Sequence, residues 1–279
     1  MDRRNFLGNS AWGAAALTVL PRNVSGGTGF TAPDDQINSG LAGREVQGGR
    51  PNTGSVSGAN PVAGEPVCRQ KIYLINKVIE PDTMPVLYEK PLTEEHIASD
   101  FTIYGGEWTV EDGWLTGRNP GNFAGMIISK ADFFGDVMMD FTARTLLPAT
   151  HDINIMWNGS WDEKTKARGP GYIIGIQGWW YGKVGFEKSP DYKLMVATPL
   201  FHFEPGKSYH IQAGSVNGHI FILVDGDLVM ELQDPDPIDN QKYGKIGFEA
   251  YCTQVQIRDL KIRKALWLPH ETSYTPEFR

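Results

Sequence analysis

Between Arg144 and Glu187 the chain gathers the side chains best suited to chemistry. Trp157, Trp161, Trp179, Trp180 and Tyr181 fall within this span. Flat aromatic rings suit the apolar faces of sugar rings, while polar neighbours bond the hydroxyls. Adjacent strand residues face opposite sides, so Trp157 and one of Trp179 or Trp180 read equally well as core. Acid and base groups would have to project from the ring-bearing face. Asp140 and Arg144 share one parity, Asp152 and Asn154 share another, and Lys183, Gly185 and Glu187 share a third. Glu187 leads as acid or base, because desolvation beside tryptophans raises a carboxylate's proton affinity. His151 is the base candidate near neutral pH. An enzyme would need Glu187, His151 and Arg144 to converge in one cleft, with Gln177, Tyr181, Lys183, Asp140 and Asn154 joining the tryptophans as substrate contacts. A plainer pattern pairs Glu187 with Lys183 or Lys188 at the surface and leaves His151 in a loop.

Other chemistries find less support. The six histidines show no H-x-H or H-E-x-x-H spacing, so no catalytic metal is expected. Asp225, Asp227, Asp234, Asp236 and Asp239 could hold a structural calcium through their oxygens. Their positions beside Gly226, Pro235 and Pro237 read first as turn chemistry. No G-x-S-x-G elbow and no phosphate-cradling loop occurs. A formal net charge of -7 argues against nucleic acid, which needs a basic footprint.

The elements that must position these groups have a period of two. In Val137–Thr145, Val137, Met139, Phe141 and Ala143 point one way and Asp140, Thr142 and Arg144 the other. Ile153, Ile155 and Trp157 oppose Asp152, Asn154 and Asn158 in the same manner. Asp112-Gly113, Asn217-Gly218 and Asp225-Gly226 split alternating runs and predict tight hairpins. Thr93, three residues before His96, resembles a helix start, but no helix-period segment of ten residues occurs in residues 67–268. Many antiparallel candidates at short spacing predict an all-β, two-sheet sandwich, and no repeat suggests a propeller or solenoid.

At the N-terminus, Arg3-Arg4 followed by Asn5, Phe6 and Leu7 matches the twin-arginine pattern, with an apolar run from Ala11 to Leu20 behind it. That run falls short of the roughly 20 residues needed to cross a bilayer, so no retained membrane helix is expected. Residues 1–26 are read as a twin-arginine export signal, leading to the periplasm or the extracellular space. Residues 27–66, rich in glycine with a single aromatic, Phe30, are read as a disordered linker. The sandwich is placed at 67–268 and a tail at 269–279. Cys68 and Cys252 could bridge neighbouring first and last strands, worth about 5 kcal/mol on the chain-entropy model, or remain two free thiols.

Several stretches together resemble the concanavalin A-like lectin/glucanase superfamily. They are DFTIYGGEWTVEDGWLTG, FFGDVMMDFTAR, the Trp157–Trp161 segment, GYIIGIQGWWYGKVGFEK, GHIFILVDGDLVMELQDPDP and KYGKIGFEAYCTQVQIRDLKIRK. The likeness spans Lys71 to Leu266. Within the superfamily the chain is most similar to YesU-like domains of unknown function and, more distantly, to 3-keto-disaccharide hydrolase domains. The resemblance implies a jelly-roll sandwich, an exported protein and a saccharide or polysaccharide ligand. The E-x-D-x-x-E cluster of lectin-fold glucanases is absent, which departs from retaining glucanase chemistry. Gln177 with Tyr181 and Lys183 is faintly similar to the lectin-fold alginate lyases. Glycosidic-bond hydrolysis or elimination is therefore the leading expectation, and a non-catalytic carbohydrate-binding module is the alternative.

Overall fold

The computed structural model describes residues 70–121, 123–179 and 182–271, with the side chain of Trp179 left out. The expected export signal, the linker, Cys68, Trp180, Tyr181 and most of the tail lie outside the described residues. In chain order the elements begin with β1 (Ile72–Tyr73), β2 (Lys77–Ile79), β3 (Val86–Tyr88), helix α1 (Glu94–Asp100), β4 (Phe101–Ile103), β5 (Glu107–Glu111) and β6 (Trp114–Asn119). They continue with β7 (Gly125–Ser129), β8 (Val137–Thr145), β9 (Ile153–Gly159), β10 (Trp161–Asp162), β11 (Ala167–Arg168), β12 (Gly171–Trp179) and β13 (Lys183–Ser189). The last are β14 (Lys193–Thr198), β15 (Tyr209–Val216), β16 (His219–Val224), β17 (Asp227–Gln233), β18 (Lys245–Ala250), β19 (Thr253–Lys264) and β20 (Trp267–Pro269).

Two antiparallel sheets make the sandwich. One has seven strands in the order β14-β13-β12-β9-β18-β7-β4; the other runs β17-β16-β15-β8-β19-β6-β5, with β3 pairing β19 as its eighth strand. The three predicted hairpin turns all form. Asp112-Gly113, Asn217-Gly218 and Asp225-Gly226 each hold two consecutive residues at positive φ, between 48° and 88°. That is the primed-turn geometry whose twist matches the flanking strands. Thr93 caps α1, its hydroxyl accepting from the His96 amide at 3.2 Å.

The alternating residues meet between the sheets. Phe141 of β8 and Phe248 of β18 pack edge to face at 5.1 Å, and Trp157 of β9 lies 5.5 Å from Tyr172 of β12. All four are fully buried, and each large apolar side chain removed from water contributes about 1.5–3 kcal/mol. Trp157 also donates Nε1–H to Ser215 Oγ across the core at 3.1 Å. Asn158 departs from the expected alternation. At φ 42° it turns its amide to the same Ser215 hydroxyl, which donates to Asn158 Oδ1 at 3.0 Å.

The eight-stranded sheet is covered on its outer side. Met138, Val216, Phe221 and Leu223 pack there against Ile72, Leu74, Ile79 and Met84, which come from the three-stranded sheet β1-β2-β20 and its neighbouring turn. The outer side of the seven-stranded sheet carries most of the buried charge.

Candidate functional site

Cross-strand register places the side chains on that outer face. In one row Gly185, Gly175, Asn154, Glu249 and Met126 stand side by side on β13, β12, β9, β18 and β7. In the next row stand Glu187, Ile173, Met156, Gly247 and Ile128. Two glycines beside Asn154 contribute no side chain of their own to that row. Met126, Ile128, Met156 and Ile173 form an apolar floor against which Tyr104 and Trp161 pack, their rings stacked at 4.2 Å.

Over this floor lies a buried ionic trio. Arg168, at the end of the short β10-β11 hairpin, places Nη2 at 3.1 Å from Glu187 and Nη1 at 3.3 Å from Glu249. All three side chains are 1–3% exposed. Glu187 and Glu249 stand on strands three spacings apart, roughly 14 Å between backbones at about 4.8 Å per step, so both carboxylates lean inward to one guanidinium. The hairpin delivers Arg168 there through the register Trp161↔Arg168, and the Gly169 amide donates to the Ser160 carbonyl at 3.0 Å. The ring of Tyr192 covers the guanidinium at 4.6 Å. Burial alone would lower the pKa of Arg168; Glu249, Glu187 and Tyr192 outweigh it and hold the group above its ordinary value. Two carboxylates and one guanidinium leave the trio with one net negative charge.

Asn154, next to Glu249 in the row, is 1% exposed, and neither Nδ2 nor Oδ1 has a hydrogen-bond partner. Leaving a buried polar group unsatisfied costs about 1–3 kcal/mol, and such a group in a folded protein asks for a ligand or a water. An amide that can both donate and accept, beside a carboxylate and a guanidinium, is equipped to hold a polar, oxygen-rich molecule.

The candidates read from the sequence separate between the two faces. Glu187, Asn154 and Lys183 belong to the seven-stranded sheet, on the face just described. Arg144 and Asp140 do not; they stand on the outer face of the eight-stranded sheet, so the convergence of Glu187, His151 and Arg144 set as the condition for an enzyme built on those three does not occur. Arg144 donates to Gln256 Oε1 at 2.7 Å and stacks on Trp114, while Asp140 accepts from His210 and Gln212. His151 sits in the loop before β9, its carbonyl accepting from Thr253 Oγ1 at 2.5 Å. Trp157 is a core residue and cannot meet a sugar; Trp161 is half-buried against Tyr104. Gln177 occupies a bulge at φ 57°, and its amide accepts from the Phe203 N–H and bonds His202 Nδ1 at 2.8 Å, clamping a loop. Lys188, the other suggested partner of Glu187, instead pairs with Asp234 at 2.7 Å.

The acidic stretch behaves as turn chemistry. Asp225 Oδ1 accepts from the His210 amide, Asp234 Oδ1 from the Asp236 amide, and Asp239 Oδ1 from the Gln241 amide. Among the described residues no group of three His, Cys, Asp or Glu side chains is arranged to hold a metal ion. Among the described residues Cys252 has no disulfide partner, and its Sγ–H donates to the Gly121 carbonyl; the pairing with Cys68 lies outside the described residues.

Residues 90–263 match the model of the 3-keto-alpha-glucoside-1,2-lyase-like domain. The chain belongs to this family. Of the two families resembled in sequence, it is the one judged more distant that matches. Among solved structures, a protein of unknown function with a galectin-like fold from Bacillus subtilis aligns with a TM-score of 0.51 at 15% identity, over 65% of this chain and 96% of that one. At that identity the likeness speaks for the fold, a lectin-like jelly roll. A carbohydrate binding module from Bacillus subtilis aligns at 15% identity over 59% of this chain and 95% of that one, with a TM-score of 0.47. No curated protein matches the chain significantly. Arg168 and Glu249, central to the face, were missed from sequence. The available signal was parity, since Glu249 alternates with the core residues Phe248 and Ala250 as Glu187 does with Phe186.

Proposed function

We propose that this 3-keto-glucoside-lyase-like protein is an exported carbohydrate-active enzyme. Its site is the outer face of the seven-stranded sheet around Arg168, Glu187, Glu249 and Asn154, and it cleaves a glycosidic bond by elimination from a sugar carrying a ketone at C3. The observation that carries this is the partnerless Asn154 amide set in register beside Glu249, under a guanidinium shared by two carboxylates. A C3 ketone acidifies the hydrogen on C2. Glu249 takes that proton, and the charge that develops on the ketone oxygen is met by the Asn154 amide and by Arg168. The electron pair of the C2–H bond becomes the C1=C2 double bond. The C1–O bond breaks, and the departing oxygen leaves as an alcohol by taking up the proton that Glu249 removed from C2, while Glu187 stays ionised beside Arg168. The trio's surplus negative charge is what allows one carboxylate to act as a base while Arg168 neutralises the other.

A second reading is favoured by the deep burial of the trio. In it the sandwich is a non-catalytic carbohydrate-binding module, and Arg168 merely pins the β10-β11 hairpin to the sheet. Incubation with a 3-keto disaccharide and mass analysis of the products separates the two. Elimination releases an unsaturated ketone one water lighter than the hydrolysis product. Glu249→Gln should lower turnover by a factor of about 100 or more, the scale of a lost general base. Binding without turnover by the wild type would sink the enzyme reading. The export address is tested by replacing Arg3 and Arg4 with lysine and fractionating cells, expecting retention in the cytoplasm.

A further inference from the structure

A polar cavity of about 640 Å³ opens at one end of the sandwich, away from the Arg168 trio. Its volume falls within the about 300–1,000 Å³ of small-molecule sites. Asp136, Asn158, Ser215, Asn217, Asn240 and Trp267 line it, and none of Arg168, Glu187, Glu249 or Asn154 does. The walls come from segments far apart in sequence: the loop before β8, the end of β9, the β15-β16 turn, the β17-β18 loop and the approach to β20.

These walls are tied to one another rather than to the space between them. Asp136 uses both carboxylate oxygens, accepting from the Asn217 amide and from Asn240 Nδ2, each at 2.9 Å. Its own carbonyl accepts from the Ala265 amide at 2.9 Å. The Gly135 amide donates to the Asn240 carbonyl at 2.8 Å, and Asn158 Nδ2 donates to the Gly135 carbonyl at 3.0 Å. Asn158 is fixed in turn by Ser215, and Ser215 by Trp157. Tyr172 Oη accepts from the Ile238 amide at 3.0 Å, closing the far side. Burial pushes the Asp136 carboxyl up, against the hydrogen bonds from Asn217 and Asn240. The result is a cavity held open by its own frame, and such preorganisation lowers the ordering cost of binding.

The lining selects a ligand class. Amides, the hydroxyls of Tyr172 and Ser215 and carboxylates dominate, Lys264 is the one cationic lining residue, and the indole of Trp267, with the Lys77 ammonium 5.3 Å from its ring, supplies an apolar surface. Anions find little positive charge there, and an apolar molecule would desolvate polar groups with lone pairs to spare, the Asp136 carboxylate and the Asn217 side chain among them. A molecule with many hydroxyls and one apolar face satisfies both. We infer that this end cavity is a second, independent saccharide site, taking a neutral mono- or disaccharide unit of the glycan. It is separate from the site of bond cleavage and does not require a keto sugar.

The test uses the full chain and unmodified sucrose, trehalose and cellobiose, none of which carries the ketone that elimination needs. Saturation-transfer NMR and calorimetry should find saturable binding of at least one of them. Trp267→Ala should weaken it about tenfold, and Asn217→Gly, which keeps a residue type suited to its φ of 48°, should weaken it measurably without disturbing the fold. Glu249→Gln should leave the affinity unchanged. Should Trp267→Ala fail to fold, Asn217→Gly decides alone. No saturable binding of any of the three sugars overturns the inference. So does affinity untouched by Asn217→Gly, or affinity lost in Glu249→Gln, which would assign the binding to the other face.

Discussion

Replacing Arg168 with leucine should unfold the protein well below its normal melting temperature, and the deficit should shrink in acid. Glu187 and Glu249 are 3% and 1% exposed, and the guanidinium between them is 1% exposed. Without it, two carboxylates face each other in a desolvated site. Breaking a buried pair by removing one partner costs about 3–5 kcal/mol. For a folded unit of roughly 200 residues, each kcal/mol moves Tm by about 2–4 °C, so the loss should be on the order of 10 °C. The pH dependence follows from the sign of the shift. In Arg168→Leu the folded-state carboxylates are pushed above their unfolded values, so the folded state holds more protons. Their neutral forms are tolerated at low pH, and stability is lost as pH rises from the ordinary carboxylate range through the raised folded values. In the wild type Arg168 is held above its ordinary value and stays charged throughout. Arg168→Lys, a point charge that cannot fork between two partners, should recover part of the loss. Thermal melts of the three proteins from pH 4 to 8 decide. A Tm for Arg168→Leu equal to wild type, or a deficit that does not narrow on acidification, refutes the picture of a buried ionic trio.

Asn154→Leu, which replaces a partnerless buried amide by an apolar side chain of similar size, should stabilise the fold by about 1–3 kcal/mol while abolishing turnover of a 3-keto glycoside. A destabilised variant in melts, or undiminished activity, would remove Asn154 from the site. His219 Nε2 lies 2.7 Å from Glu231, which looks like an ion pair. Burial and the ammonium of Lys77, 3.5 Å from Nδ1, lower its pKa against the pull of Glu231, so the ring is neutral at pH 7. The unfolded histidine binds the proton more readily, so stability should decline as pH falls through about 6.5, and His219→Gln should flatten that part of the melt-versus-pH curve. Gly214→Ala would put a methyl 2.1 Å from the Val137 carbonyl on the neighbouring strand. Because backbone cannot yield, overpacking should cost about 1–3 kcal/mol or more in chemical denaturation.

Most of the sandwich was legible because its signals are local. A strand reveals its faces by alternation within five or six residues, and Asp-Gly or Asn-Gly at a hairpin tip states its own dihedral angles. Asn158 escaped because a single residue at φ 42° reverses the parity of everything judged from it. Gln177 escaped for the same reason: its φ of 57° breaks the register between Gly175 and Trp179, and turns a residue read as a substrate contact into a clamp for the Phe203 loop.

The site was only half legible, for a physical reason that parity cannot supply. Alternation tells which side of its own strand a residue occupies, but both sheets of a sandwich have an outer side. Arg144 on β8 and Glu187 on β13 therefore look alike in sequence, although the whole core separates them. What assigns a strand to a sheet is long-range pairing. β9 lies between β12 and β18, whereas β8 lies between β15 and β19, of which β19 is more than a hundred residues downstream. Arg168 was hidden more deeply. Flanked by Lys164, Lys166 and Glu163 in a short hairpin, it has the local character of a solvated turn, and only the Trp161↔Arg168 register folds it back over the sheet. A charge so placed has two possible warrants: it holds the hairpin down, or it serves chemistry at the face beneath. The partnerless Asn154 discriminates, because a purely structural trio gives no reason to retain an unsatisfied amide next to Glu249. A structural trio predicts that Asn154→Leu is silent in every functional assay. A working site predicts a more stable protein that no longer turns over its sugar.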